Sequence, residues 1–255
     1  MADQRLTVLT YHALDGRGDV ISTAPDLFES QLQHLAASGI NGISLRTAWE
    51  RLEQDGRFPE SSVVLTFDDG YLSVFENALP ALRRHGFRAT VFVPTAFVGR
   101  KTEEAFDLNE HLDREMMNWG QLEELAAAGM EIAAHSRKHP DLTRLDDREL
   151  EDELAGCLLE LENRIHRPVV SFAYPYGFYD ERVRHAVGHH YRYACTTALG
   201  HNGLNTDPLS IRRIDAFYLK RESMLLRAAR GELGGWCVKR QVLRDTREWF
   251  SRRSR

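Results

Sequence analysis

VVLTFDDGYLS, residues 63–73, runs four apolar residues and a threonine straight into Asp68, Asp69 and Gly70. Such an apolar run is the pattern of a parallel strand buried on both faces. The two carboxylates then fall where that strand must end. In parallel α/β folds ligand sites form at the carboxyl ends of the strands. The pair therefore sits where chemistry is expected.

Working outward from this stretch, strand-like and helix-like runs alternate for most of the chain. Strands are expected over 6–11, 63–67, 89–93, 130–134, 169–173, 191–196 and 210–214. Helices are expected between them over 25–38, 73–85, 121–128, 146–165 and 180–187, with two more after residue 216. Leu27, Phe28, Leu32 and Leu35 share one face of the first helix. Asp146 with Glu149 three residues on is a capping box. Residues 95–118 have no clean period and read as a long irregular connection holding one short helix. No repeat or linker interrupts the alternation, so 1–255 reads as one domain, ending in C-terminal helices at about 222–250. The sheet is expected to be mostly parallel, either open or closed into a barrel.

The bulk numbers fit a soluble enzyme-sized domain: 255 residues, 42% hydrophobic and 28% charged. A net charge of -5 gives no reason to expect nucleic acid as a partner. No apolar run has the ~18 residues of a membrane span, and MADQRLTVLTYH lacks the parts of a signal peptide, so the chain reads as cytoplasmic. Cys157, Cys195 and Cys237 have no CxxC spacing and read as buried thiols.

Four polar groups fall at expected strand ends: His12; Asp68 with Asp69; His135 in HSRKHP, which also holds His139; and Tyr174 to Gly177 in YPYG. All four would share one rim. A single HxxxH is cheap among eleven histidines, and His185 with His189 repeats the spacing on an expected surface helix. His135 and His139 differ by their place after a strand. Two imidazoles one helical turn apart, with an aspartate from a neighbouring strand end, make a two-histidine, one-carboxylate metal set with positions open for water and substrate. Neighbouring aspartates cannot easily both ligate one ion. One is then a ligand and the other takes a proton from water. In isolation Asp-Asp-Gly more often only caps a helix.

TFDDG, HSRKH and YPYG, in this order over roughly residues 5–216, resemble the polysaccharide deacetylases, the NodB-homology carbohydrate esterases. The resemblance implies a distorted (β/α)7-type barrel, and a divalent metal, Zn2+ above Co2+ or Ni2+, used to remove N-acetyl groups from amino sugars. It makes Asp68 the base, Asp69, His135 and His139 the metal ligands, and Tyr176 a backbone donor to the oxyanion. LTVLTYH resembles the circularly permuted branch acting on poly-N-acetylglucosamine, with His12 the acid; a plain buried strand-end histidine is the alternative.

One departure stands out. The family's third motif often begins with an arginine that orients the base, and here Ala173 holds that place; Arg212 or Arg213 is the expected substitute. Arg213 and Tyr174 are also expected to line the substrate site. The substrate itself stays open among an oligosaccharide or polysaccharide, an amino-sugar nucleotide, a lipid-linked saccharide and a small amide. A non-catalytic, metal-containing saccharide binder is the rival reading. Residues 236–255 carry seven Lys/Arg against two acids, with Trp236, Val242, Leu243, Trp249 and Phe250 interleaved. Such a helix either touches a membrane surface peripherally or covers the barrel, and covering is the expectation.

Overall fold

The computed structural model describes residues 4–101 and 114–253, with side chains as far as Thr246. Along these run β1 (Val8–Tyr11), α1 (Pro25–Ala37), β2 (Asn41–Ile43), α2 (Leu45–Asp55), β3 (Ser62–Phe67), α3 (Leu79–His85), β4 (Thr90–Val93) and α4 (Trp119–Ala127). There follow β5 (Glu131–Ala134), α5 (Asp147–Ile165), β6 (Ser171–Ala173), α6 (Glu181–His190), β7 (Tyr193–Leu199), β8 (Ile211–Asp215), α7 (Glu222–Ala229) and α8 (Gly234–Arg253). Pairings between the strands are parallel. β3 to β8 pair in chain order, and β1 closes the ring by bonding to both β3 and β8. The fold is a closed seven-stranded parallel barrel wrapped by helices. β2 is extra to the ring: it pairs with the start of β3 (Gly42↔Val63), on the edge whose far end takes β4 (Phe67↔Val91).

Side-chain alternation decides what enters the lumen. Val8, Val64, Phe92, Ala133, Ala173, Cys195 and Ile211, one from each ring strand, form one buried cluster. Their neighbours Leu9, Leu65, Val91, Ile132, Phe172 and Ala194 belong to the core under the helices. Leu45, Ala48 and Trp49 of α2 join the inner cluster, with Trp49 against Phe58 (5.3 Å) and Tyr193 (6.4 Å). This plugs the amino end of the barrel. Glu131, at the start of β5, fastens the plug: its carboxylate accepts from the Thr90 and Ser171 hydroxyls (2.6 and 2.5 Å) and from the Arg46 N–H in the first turn of α2 (2.9 Å). With one end closed, the carboxyl ends of the strands are left as the open rim.

Local departures from the sequence pattern have physical causes. β2 is three residues long, too short to show a period. α2, also unexpected, does carry signals: the Ser44 hydroxyl accepts from the Thr47 N–H, and Gly56 ends the helix. The helix expected over 73–85 is split into a π-turn, Val74–Ala78, and α3. Pro80 lacks the N–H that would bond the preceding turn. Of residues 95–118, Thr95–Phe97 form one turn of 3-10 helix, and 102–113 lie outside the described residues.

As far as Thr246, α8 covers the barrel. Trp236 packs against Tyr218 (5.6 Å), Gln241 accepts the Leu199 N–H (2.9 Å), and Arg244 donates to the Thr197 carbonyl (2.9 Å). Val238, Val242 and Leu243 on its outer face stay exposed, and the side chains of Trp249 and Phe250 lie outside those described. Among the described residues no helix is long and apolar enough to cross a membrane. The three cysteines are buried free thiols, as expected.

Candidate active site

Asp68 continues the inward parity of Val64 and Thr66, so its carboxylate enters the top of the lumen, 3% exposed. There it meets Arg213, two residues beyond the inward Ile211 on β8. The guanidinium forks onto both carboxylate oxygens at 2.7 Å each. Arg213 also donates to the Thr196 carbonyl (2.9 Å) and stands over the Phe92 ring (5.7 Å). Burial raises the Asp68 carboxyl, but Arg213 chiefly, with His12 and His135, holds it below the usual carboxylate range. Of the two candidates for the displaced motif arginine, Arg213 reaches the carboxylate, whereas Arg212 is exposed. The small Ala173 side chain faces the same lumen.

Asp69 leaves that parity. Its φ of 70° swings its carboxylate away from Asp68 and toward the 135–139 turn. The Asp69 Oδ1 lies 3.5 Å from His135 Nε2 and 3.6 Å from His139 Nε2, and the two nitrogens are 3.2 Å apart. The histidines do not share a helix, which corrects the helical-turn reading of HxxxH. They converge because Ser136 and His139 both adopt left-handed backbone, φ 59° and 55°. The Ser136 hydroxyl then accepts the His139 N–H at 3.0 Å. Among the described residues, four of the six non-glycine positive-φ positions belong to this site: Asp69, Ser136, His139 and Tyr176. Backbone strain of this kind persists only where surrounding structure enforces it.

The three ligand atoms suit a cation. Ligands at about 2.1 Å from a tetrahedral ion stand about 3.4 Å apart, close to the edges of this triangle. His135 Nδ1 lies 2.8 Å from the Ala173 carbonyl, so it carries the hydrogen and leaves the Nε2 lone pair facing Asp69 and His139. With His139 presenting its Nε2 lone pair as well, three electron-rich atoms converge in a buried space, a repulsive arrangement unless positive charge sits among them. The electrostatic surroundings of the two rings differ. Burial and the neighbouring His135 push His139 down to about 3. Against the cost of burial, Asp69 and Asp68 hold the His135 proton affinity above its ordinary value. Among the described residues, no other His/Cys/Asp/Glu group converges in this way. His185 and His189, with rings 4.5 Å apart, lie exposed on α6.

A pocket of about 130 Å3 opens over these groups, lined also by His12, Ile21, Tyr71, Tyr174, Tyr176 and Thr197. His12 Nε2 stands 3.9 Å from Asp68 Oδ2. Tyr176 has φ 58° and ψ 0°, and its ring packs edge-on against His139 at 4.6 Å. Tyr174 is buried, its hydroxyl donating to the Leu209 carbonyl at 3.0 Å, so only its ring borders the pocket. All eight residues singled out from the sequence thus meet at one rim. A second cavity of about 260 Å3 shares His12, Asp68 and Thr197, and is closed by Arg213, Asp215, Tyr218 and Arg244. Tyr71, Asp215, Thr197 and Arg244 went unnoticed in the sequence. Only Asp215, the last residue of a strand, carried a usable signal.

Comparison with known proteins bears on the family and the fold. A family model described as polysaccharide deacetylase matches residues 55–194. The chain is 28% identical over 179 residues to Bacillus subtilis YxkH, covering 70% of this chain and 59% of that protein. It is 27% identical over 169 residues to the poly-beta-1,6-N-acetyl-D-glucosamine N-deacetylase of Staphylococcus aureus (strain MRSA252), covering 63% and 55%. The chain therefore spans less than two thirds of these curated relatives. In fold it is similar to the Streptococcus pyogenes deacetylase PplD in complex with acetate, with a TM-score of 0.78, 23% identity and coverage of 89% and 99%.

Proposed function

The chain belongs to the polysaccharide deacetylase family, and from that premise we propose that it hydrolyses N-acetyl groups from an amino sugar, in an oligosaccharide, a polysaccharide or a lipid-linked saccharide. One observation carries the reading. Asp69 turns to two histidines while the adjacent Asp68 turns to Arg213. The two carboxylates are thereby given different work.

Asp69, His135 and His139 would hold a divalent ion, Zn2+ first and Co2+ or Ni2+ by the same donors. Bound there, the ion supplies Lewis acidity toward the acetamido carbonyl and eases ionisation of water. Asp68 takes the proton of the attacking water; Arg213 keeps it ionised and fixes both oxygens. The Tyr176 backbone N–H receives charge developing on the carbonyl oxygen. His12, across from Asp68, gives a proton to the leaving amine, which departs poorly without one. Acetate and a free amino sugar result. Arg213 supplies the charge whose absence at Ala173 favoured a non-catalytic binder, and this supports the enzyme reading over that rival. The name of the Staphylococcus aureus relative supports an N-acetylglucosamine polymer as the substrate class.

The test is acetate release from N-acetylglucosamine oligomers by zinc-loaded wild type and Asp68→Asn. Loss of a general base predicts a fall of about 10²-fold or more in turnover with zinc retained. Equal turnover in the two proteins, or none in wild type with zinc, cobalt or nickel, contradicts the proposal.

A further inference from the structure

A groove of about 790 Å3 lies on the other side of the turn that carries the histidines, and the chemistry above makes no use of it. His135 and His139 face the catalytic pocket, while Arg137 and Lys138, between them in sequence, line the groove. Opposite stand Arg100, Trp119 at the start of α4, and Glu160, Asn163 and Arg164 toward the end of α5.

The charges are unequal. Arg137 is answered by Asp152 (2.7 Å) and Glu160 (2.8 Å). Lys138 and Arg100 are exposed, and among the described residues neither pairs with a carboxylate. The Arg164 guanidinium lies over the Trp119 ring, 5.4 Å from its centre. Exposed cations that meet no carboxylate among the described residues, beside the Asn163 amide, suit a sugar ring that carries an anion. On a chain of net charge -5, such a cationic groove steers an acidic ligand to one place. The spacing to the reacting centre is also fixed. The Glu153 carboxylate, 5% exposed, accepts the backbone N–H of both Arg137 and Lys138 at 2.8 Å, tying the turn to α5.

Resting on the deacetylase reading, we propose that this groove binds an anionic group, carboxylate or phosphate, on the same glycan whose N-acetylated unit occupies the catalytic pocket. The preferred substrate is then an acidic N-acetylated glycan. Two linked contacts on one chain place the target unit by effective concentration.

The experiment titrates zinc-loaded Asp68→Asn, which does not consume its ligand, with an N-acetylglucosamine hexamer and with its carboxymethylated and phosphorylated forms. Calorimetry at low salt is expected to give at least about tenfold tighter binding of one or both anionic forms. Adding Arg100→Glu and Lys138→Glu, with zinc content and melting temperature checked, should reduce that preference to about twofold or less. Whichever anion shows the effect identifies the source. Equal affinity for neutral and anionic hexamers, or a preference that survives charge reversal, overturns the proposal. Acetate release by wild type separates the two ideas. If the neutral hexamer is deacetylated but no anion is preferred, the groove proposal alone fails. If the preference behaves as stated but no hexamer releases acetate, the deacetylase reading fails and the anion site stands.

Discussion

Arg213 and Asp68 meet as a closed fork, with Nη1 to Oδ1 and Nη2 to Oδ2 both 2.7 Å and both side chains 4% exposed or less. They come from the two strands that flank β1, β8 and the exit of β3. Arg213→Ala strands a buried carboxylate, which costs about 3–5 kcal/mol of stability. Arg213→Lys keeps the charge but not the fork. Steady-state acetate release should show kcat down by about 10²-fold for the lysine variant with KM little changed, since the damage is to the proposed base and not to binding. A KM effect with kcat intact would place Arg213 on the substrate instead.

Glu153 takes no part in the pocket, yet it holds two backbone N–H groups of the histidine turn. Supports of this kind typically set metal affinity within 10–100-fold. Competition with a zinc chelator should show Glu153→Ala weaker than wild type by about that factor. Glu153→Gln retains one carbonyl acceptor and should fall between.

Gly177 has φ 74°, and a Cβ there would lie 2.1 Å from the Thr197 Oγ1 and 2.8 Å from its Cβ. Gly177→Ala should therefore displace Tyr176 and cost about 1–3 kcal/mol in chemical unfolding. Thr197→Ala should restore only part of this, because the Thr197 Cβ is itself too close. Full recovery would mean that the hydroxyl alone sets the limit.

His201 docks the C-terminal helices under β1. The Thr7 hydroxyl gives its hydrogen to the Ala228 carbonyl (2.5 Å), so it accepts from His201 Nδ1–H (2.8 Å), and Nε2 then accepts the Leu233 N–H (3.1 Å). That arrangement needs a neutral ring, and burial, with Arg5 nearby, lowers its pKa to about 4. The folded value lies below the unfolded one of about 6.5, so unfolded chains bind more protons between the two. Stability present above about pH 6.5 is therefore lost progressively down to about pH 4. Melting temperature against pH should fall more steeply over this window for wild type than for His201→Gln. Parallel curves would remove His201 from the account.

Much of this was legible in the sequence because strand ends in a parallel barrel share a rim. TFDDG, HSRKH and YPYG needed only their position after apolar runs to be placed together. Arg213 was legible in principle through parity, two residues beyond Ile211 as Asp68 is beyond Thr66, but parity is useful only once β8 is known to close on β1. The geometry of the HSRKH turn was hidden, since positive φ at Ser136 and His139 is enforced by tertiary contacts and has no local sign. β2 was too short to declare itself. The groove beside Lys138 joins α4, α5 and the turn, and such long-range surfaces leave no periodic trace.

The central claim is the division of labour between the adjacent aspartates, and elemental analysis of dialysed protein tests it directly. Wild type and Asp68→Asn should each hold close to one zinc per chain, while Asp69→Ala and His135→Ala should hold almost none. Wild type that stays empty after incubation with zinc, cobalt and nickel, or zinc retained by Asp69→Ala and His135→Ala, would contradict it.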